Sequence, residues 1–416
     1  MNILIGVLQR EENEYLVVLK DGKACLDLST GESTEKEYPN YPLLKDRNLL
    51  IKGDPVSGYG VFRFRYGPVT SGLREAGSFS LYTYGEKILH ATIDLNWKHR
   101  EMEESMTGKN SHDAVTLSEK VCSNFAVSHS VACSIAIENA MGIRANTIVR
   151  NWRTVLIEAE RIYNHLHVIY KLASAAAQKV LASHLSALFE ESLRINKALS
   201  GSRYLMGINQ INHVNFLPDF STIKKIISDY QNLSIHFEKL YKHSLSNPNF
   251  LDRLHHAGML SRNQALSLGL SGPSLRACGL KDNLNGTTGE HLISLPVVTQ
   301  QEGDSLARME TRAEELVNSC QFLIDHLKVS DIWDADSEAE RPETKSQGEG
   351  VGISHSPSGA VGYYVLLRDN RVLHLRMFTP SYPGMHAVSE ALKEQVFTDF
   401  PFVYDSFGVH FTDAAC

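Results

Sequence analysis

The first part of the chain alternates short apolar runs with turn residues. The apolar run 15–19 is followed by Asp-Gly, and the run 25–28 is followed by Ser-Thr-Gly. Apolar runs of this length, bounded by small and turn-forming residues, are typical of strands joined in hairpins. The pattern therefore predicts a small β-rich N-terminal unit over residues 1–60.

Similar strand patterns recur further along the chain. Apolar and β-branched residues predict strands at 61–66, 78–84 and 87–93, which are expected to pair in an antiparallel sheet. Near the C-terminus, residues 362–367 and 371–378 flank an Asp-Asn pair and predict one more hairpin.

The middle of the chain has the spacing of amphipathic helices. Apolar residues recur at intervals of three and four in residues 152–170, 182–199, 222–243 and 303–327. Residues 337–352 are polar and rich in Glu and Gly, which predicts a loop before the last hairpin. The predicted fold class is α+β, a helical bundle with small antiparallel sheets, in which residues 61–416 form one domain.

Composition narrows the range of partners and locations. The chain has 41 Lys and Arg against 48 Asp and Glu, and this acidic excess argues against a nucleic-acid partner, which requires a basic face. The N-terminus lacks the pattern of a signal peptide, and no run of about 18 uncharged apolar residues occurs. The expected location is cytoplasmic, with membrane contact only through partners. Six scattered cysteines without a CxxC pair indicate reduced thiols.

Several motifs resemble, in the same order, those of one known family. Residues 67–79 (GPVTSGLREAGSF) are similar to its GPxHxGxxExGxF segment, and residues 98–103 (KHREME) look like its H-[RK]-G-x-E segment. Residues 153–166 (RTVLIEAERIYNHL) resemble its ExERxx[NS]HL helix. This family contains the large subunits of nickel-iron hydrogenases and the quinone-site subunit of respiratory complex I. The resemblance is strongest to the membrane-bound formate-hydrogenlyase (hydrogenase-4) type.

The resemblance implies a hydrogenase large-subunit-like fold and a role in a larger assembly. The expected function is that of a cytoplasmic-arm subunit in a complex I-like, ion-translocating membrane oxidoreductase, peripheral to the inner membrane. The implied partners are an iron-sulfur small subunit and membrane-arm subunits. Iron-sulfur clusters are expected in the small subunit, and no cofactor is expected in this chain.

The cysteines that hold nickel and iron in the family are largely replaced here. The first of the family's two CxxC pairs falls at Cys122 and Phe125. If residues 400–407 match the strand before the second pair, that pair falls at His410 and Asp413. Because a nickel-iron centre needs four thiolates, no such metal site is expected.

A second interpretation places a metal other than nickel and iron at these positions. Cys122, His129, His410 and Asp413 together offer the mixed nitrogen, oxygen and sulfur ligands that zinc accepts. The favoured interpretation is structural, with Cys122 as a small buried residue and His129 hydrogen-bonded within a helix.

Two other positions carry candidate roles through the resemblance. Thr70 stands where complex I has a quinone-binding histidine, and a hydroxyl is a poorer proton donor than an imidazole. Glu103 matches a family glutamate implicated in proton traffic, and His99 lies four residues before it, a spacing that predicts a relay on one helical face. A solvated salt link among the neighbouring charges is an equally weighted interpretation.

The remaining polar residues have mainly structural interpretations. Glu158, Glu160, Arg161 and His165 lie on one predicted helix and are expected to clamp the bundle. The pair His255-His256 is expected at the surface without a supporting carboxylate. Two alternative functions stay open: a redox enzyme subunit that uses a quinone or an unusual metal, and a non-redox scaffold whose old active site is filled.

Overall fold

This computed structural model describes residues 2–10, 13–20, 23–30, 32–53, 56–70, 72–73, 75–282, 295–328 and 346–416. The strands are β1 Ile3–Arg10, β2 Asn13–Lys20, β3 Lys23–Leu28, β4 Leu50–Ile51, β5 Val61–Tyr66, β6 Ser78–Tyr84, β7 Lys87–Asp94, β8 Asn209–Gln210, β9 His213–Val214, β10 Gln347–Ser356, β11 Gly359–Arg368 and β12 Arg371–Phe378. The helices are α1 Glu32–Glu37, α2 Tyr41–Lys45, α3 Met102–Met106, α4 Ser111–Ser118, α5 Ala126–Met141, α6 Thr147–Ala175, α7 Lys179–Ser200, α8 Phe220–Leu245, α9 Pro248–Leu254, α10 Arg262–Ser267, α11 Pro273–Arg276, α12 Ser305–His326, α13 Ser381–Ala391, α14 Phe400–Phe407 and α15 Phe411–Ala414.

The α+β prediction is confirmed. Helices α6, α7, α8 and α12 pack around one hydrophobic core in which Trp152, Leu166, Tyr230 and Leu316 are buried. Three antiparallel sheets outside this bundle have the strand orders β1-β2-β3, β4-β7-β6-β5 and β10-β11-β12. Within the described ranges, no helix combines the length and apolar character needed to cross a bilayer.

The first sheet shares a core with the last one. Ile3 and Val17 from the first sheet are buried in the same cluster as Ile353 and Tyr364 from the last. Strand β4 pairs with β7 of the second sheet, where Leu50 lies opposite Asp94. The division of the chain at residue 60 into two domains stays a prediction.

Strand β10 corrects the predicted loop over residues 337–352. Gln347 already begins the strand, and residues 337–345 lie outside the described residues. The glycines that indicated a loop instead allow β10 to pack closely against α5. A Cβ atom on Gly350 would be 2.2 Å from the carbonyl oxygen of Ala136, and one on Gly352 would be 2.1 Å from that of Ala132. Only glycine permits this approach between the strand and the helix.

Residues 400–407 are also corrected, from strand to helix. They form α14, with a proline in its first turn, where a missing backbone N–H costs no helical hydrogen bond. Phe400, Val403 and Phe407 point into the core beside α13 and the second sheet. The continuous run of apolar residues had the composition of a buried strand, and periodicity alone does not separate that from a buried helix.

Candidate functional site

The fold brings the segment around residue 122 together with the segment around residue 410. Cys122 precedes a 3₁₀ turn over Ser123–Phe125 that leads into α5, while His410 precedes α15. The rings of Phe125 and His410 meet edge to face, with their centroids 5.1 Å apart. Nδ2 of Asn124 lies 2.9 Å from Nε2 of His410. The four positions that correspond to the family's cysteines therefore lie in one place.

His129 joins this cluster from the first turn of α5. Its Nε2 atom lies 2.9 Å from Oδ1 of Asp413, and its Nδ1 atom lies 2.8 Å from the hydroxyl of Tyr363. Nε2 donates to the carboxylate oxygen of Asp413, and Nδ1 accepts from the hydroxyl of Tyr363. Oδ2 of Asp413 accepts from the backbone N–H of Ser381 at 3.1 Å. Both histidine nitrogens and both carboxylate oxygens are thus engaged.

Glu75 closes the cluster on its other side. Oε1 of Glu75 lies 3.3 Å from Nδ1 of His410, and Oε2 accepts the backbone N–H of Thr412 at 2.8 Å. Burial raises the pKa of the Glu75 carboxyl, but the hydrogen bonds and charge of His410 and the bonds from Thr412 outweigh it and lower the pKa to about 2. Glu75 belongs to the 67–79 motif, so the resemblance could have identified it.

Acid unfolding tests the Glu75 cluster. Because the pKa of Glu75 falls from its ordinary value near 4.5 to about 2 on folding, its stabilisation is complete above about pH 5 and disappears as the pH falls toward 2. We expect the stability difference between wild type and Glu75→Gln, from urea midpoints, to shrink across this window. The control Glu394→Gln changes a surface carboxylate that pairs with Lys87. A constant difference across the window contradicts the assignment.

The cluster does not fit a four-thiolate metal centre. Of the four positions, only Cys122 supplies sulfur, and burial, followed by the charges of Asp413 and Glu75, raises the pKa of its thiol well above the usual range. A protonated thiol is a poor ligand. Phe125, which is 0% exposed, occupies the second position with an apolar ring. His410 and Asp413 are engaged with the partners already described.

The zinc alternative is disfavoured by the same bonds. His129 would have to give up either Tyr363 or Asp413 to coordinate an ion, and His410 would have to leave Asn124 or Glu75. The expected structural interpretation accounts for all of these partners without a metal. The set therefore forms a filled, hydrogen-bonded interior.

Glu103 and His99 lie apart from this interior, at a cavity of about 230 Å³ lined by Arg47, Leu49, His99, Glu101, Met102, Glu103, Glu104, Arg376 and Cys416. The predicted spacing on one helical face is wrong, because α3 begins only at Met102 and Glu101 turns the backbone with a φ of 51°. Nδ1 of His99 instead donates to the carbonyl oxygen of Ala415 at 2.6 Å.

The carboxylate of Glu103 has two partners. Oε2 accepts from Arg376 at 2.7 Å, and Oε1 accepts the backbone N–H of Met377 at 2.7 Å. Burial raises the pKa of Tyr363 well above the usual range, and the charges of neighbouring groups, Asp413 and Glu103 among them, add to this shift. Tyr363 lies opposite Met377 in the pairing of β11 and β12, and the backbone of Met377 bonds to Glu103, so Tyr363 links the Glu103 side to His129, a role that no sequence motif indicated.

Thr70 lies in the half-buried loop that follows β5. Its neighbour at position 71 lies outside the described residues. The role of Thr70 at a quinone position stays a prediction.

The polar residues of α6 form a buried ionic network, as expected of a clamp. Arg161 lies 3.2 Å from Glu158, and Nε2 of His165 lies 3.0 Å from Glu315 of α12. Glu315 also pairs with Arg276 at 2.7 Å. Glu160 turns to the other side, where it accepts the backbone N–H of Val127 and so caps α5. These contacts join the bundle to the start of α5.

Comparisons with known proteins identify relatives in two families. Residues 100–215 match the family model for nickel-dependent hydrogenase, and residues 186–343 match the model for the 49-kDa subunit of respiratory-chain NADH dehydrogenase. Hydrogenase-4 component G of Escherichia coli is 25% identical over 92% of this chain, and formate hydrogenlyase subunit 5 of the same organism is 26% identical over 82%. The chain spans 65% and 60% of the lengths of these two relatives.

A third relative and a solved structure match almost their whole lengths. An NADH-quinone oxidoreductase subunit of Chloroherpeton thalassium is 22% identical, over 94% of this chain and 96% of its own length. A chain from the membrane-bound sulfane sulfur reductase, described as an archaeal respiratory membrane complex, superimposes with a TM-score of 0.78 at 18% identity, over 86% of this chain and 99% of that chain. This last likeness concerns the fold.

Proposed function

Because this chain belongs to the family of nickel-dependent hydrogenase large subunits and 49-kDa complex I subunits, we propose that it serves as the corresponding subunit of a complex I-like, ion-translocating membrane oxidoreductase. Its relatives are named as subunits or components of hydrogenase-4, formate hydrogenlyase and NADH-quinone oxidoreductase. In this proposal the chain sits on the cytoplasmic side of the membrane. It contacts membrane-arm subunits and an iron-sulfur small subunit that carries the clusters.

The proposed complex does not activate hydrogen at this subunit. The observation that carries this part of the proposal is the replacement of three of the four metal thiolates by the Phe125 ring, the His410 imidazole and the Asp413 carboxylate. Nickel with strong-field iron requires thiolate sulfur, and one buried, protonated Cys122 does not provide it.

Metal analysis tests that part directly. We expect the purified complex to contain well under one nickel per copy of this chain, on the order of background, and to reduce no dye with hydrogen as donor. A matched Cys122→Ser complex is expected to keep the wild-type rate of ion translocation. About one nickel per chain, lost in Cys122→Ser, contradicts the proposal.

Our proposal also retains a proton path from the Glu103 cavity to the inner cluster. Glu103 lines the cavity, and Tyr363 lies opposite Met377, whose backbone N–H donates to Glu103. From there the hydrogen bonds run in one direction, from the Tyr363 hydroxyl to Nδ1 of His129 and from Nε2 of His129 to Asp413. The transfer balances when the Tyr363 proton moves to Nδ1 of His129, the Nε2 proton moves to Asp413, and Tyr363 regains a proton that Glu103 delivers from the cavity side.

Replacing Glu103 by glutamine is the decisive experiment. Gln keeps the size and a hydrogen-bond acceptor for Arg376 or Met377 but cannot titrate, so ion translocation by the assembled complex is expected to fall by about tenfold or more. Assembly and thermal stability are expected to stay near wild type. Glu104→Gln, an exposed change at the same cavity, is the matched control and is expected to have no effect.

Glu103→Gln and Tyr363→Phe together distinguish a proton path from a purely structural role of these residues. Tyr363→Phe removes only the hydroxyl that bonds to His129, and it provides a second interruption if Glu103→Gln does not assemble. Normal translocation in both variants rules the path out.

A non-redox scaffold is the second candidate. It is favoured by the pairing of Glu103 with both Arg376 and Met377, which suffices to fix α3 against β12. A quinone- or other-acceptor-reducing role rests on Thr70 alone, and a hydroxyl there donates a hydrogen bond but no proton near neutral pH. Normal translocation in the Glu103 and Tyr363 variants would favour the scaffold.

A further inference from the structure

Two neighbouring histidines at the end of α9 face a buried carboxylate. His255 and His256 are exposed, and their ring centroids lie 3.8 Å apart with the planes inclined by 56°. Asp304, the N-cap of α12, is 0% exposed beneath them. One ligand atom from each of these three side chains lies within 4.8 Å of the others. The sequence indicated no carboxylate near this pair, because Asp304 is 48 residues away along the chain.

The backbone holds the three residues in this arrangement. The backbone N–H of His256 donates to Oδ2 of Asp304 at 2.7 Å, and its φ of 61° turns the two rings to the same side. The carbonyl of Ala257 accepts from the backbone N–H of Ser305 at 2.9 Å. Asp304 itself is fixed, since its Oδ1 accepts from the backbone N–H of Ala307 at 2.8 Å. A site with this much preorganisation loses little conformational freedom when an ion binds.

Capping explains Asp304 but not the histidines. An N-cap carboxylate needs only the backbone N–H groups of its helix, and each carboxylate oxygen has a further lone pair. The two imidazoles lie close to each other, and their rings take no part in that cap. A metal ion bound by their ring nitrogens and by the carboxylate accounts for the position of all three side chains.

Further carboxylate side chains lie near the three residues. Glu310 is half-buried and interacts electrostatically with Asp304, Glu314 and His255. The nearby cation Arg308 directs its guanidinium elsewhere, to Ser406 and to the carbonyls of Gly303 and Gly258. An added positive charge at the histidines is therefore favoured by the carboxylates around it.

We propose that His255, His256 and Asp304 bind one divalent transition-metal ion of the zinc class. Two imidazoles and one carboxylate are ligands that zinc prefers, whereas magnesium and calcium prefer oxygen alone. Tetrahedral coordination with bonds of about 2 Å brings ligand atoms to about 3.4 Å from one another. The two exposed rings reach this spacing by side-chain rotation, and water fills the fourth position. The ion joins the end of α9 to the start of α12.

Zinc titration of this chain, after removal of bound metal, tests the site. The test is calorimetry with zinc sulfate in a Cys25→Ser, Cys416→Ser background. These two thiols are only half-buried, and their removal prevents them from binding zinc. The expected result is one zinc per chain and a rise in melting temperature. His255→Ala and His256→Ala are each expected to weaken binding by about tenfold or more. His243→Ala, an exposed histidine near the end of α8, is expected to bind as the parent does.

The double variant His255→Ala with His256→Ala decides the question. Both side chains are exposed, so their removal leaves folding intact, and circular dichroism checks this. Loss of the stoichiometric zinc in the double variant supports the site. Equal binding by parent and double variant, or no stoichiometric binding by the parent, overturns it. The test is independent of Glu103 and of ion translocation, so its outcome leaves the proposed function unaffected.

Discussion

Replacement of Phe125 by alanine is expected to lower the free energy of unfolding by about 3 to 5 kcal/mol. The ring is fully buried at the entry to α5 and packs edge to face on His410. Its removal leaves a cavity between the start of α5 and the start of α15, where the polar groups of Asn124 and Glu75 are fixed by other bonds and cannot close the space. Both the lost burial and the cavity contribute to the cost.

Urea denaturation of the isolated chain measures this change. Phe62→Ala is the matched control, because that ring is 62% exposed on β5 and its loss is expected to change stability by less than about 0.5 kcal/mol. If Phe125→Ala costs less than about 1 kcal/mol, the interior at this position collapses easily or is open. The interpretation of Phe125 as a filler of the former metal position would then fail.

The regular parts of the fold were predictable because they depend on local pattern. Apolar residues at three- and four-residue intervals determined the cores of α6, α7, α8 and α12, since each helix buries one stripe against the others. The prediction failed where a neighbour decided the structure. The glycines of β10 indicated a loop, and only the contact with α5 explains them.

The candidate site was predictable in one respect and not in another. Ordered motifs indicated that Cys122, Phe125, His410 and Asp413 meet, because their order matches that of a known fold. The role of Tyr363 and the hydrogen bonds that Glu75 and His129 make depend on contacts that span up to 337 positions of sequence. The relay between His99 and Glu103 assumed an unbroken helix, which the left-handed conformation of Glu101 excludes.

Glu315→Ala is expected to destabilise the chain by about 2 to 4 kcal/mol, because it removes a buried carboxylate that Arg276 and His165 share and leaves the Arg276 guanidinium paired with Asp282 alone. Glu315 lies 2.7 Å from Arg276 and 3.0 Å from Nε2 of His165. Burial raises its pKa, but Arg276 and the bond from His165 outweigh burial and hold the pKa of the carboxyl well below its usual range. Burial lowers the pKa of His165 to about 4, so the imidazole donates to Glu315 as a neutral ring.

The matched control for Glu315→Ala is a carboxylate with the same number of partners at the surface. Glu190 pairs with Arg203 at 2.6 Å and with Arg194 at 3.0 Å, and both arginines are well exposed. Water can replace Glu190 as a partner, so Glu190→Ala is expected to have a much smaller effect on the urea midpoint. Glu315→Gln, which keeps an acceptor but no charge, is expected to lie between the two. Equal effects of Glu315→Ala and Glu190→Ala would mean that water reaches Arg276, and the network could then not act as the clamp between α6, α11 and α12.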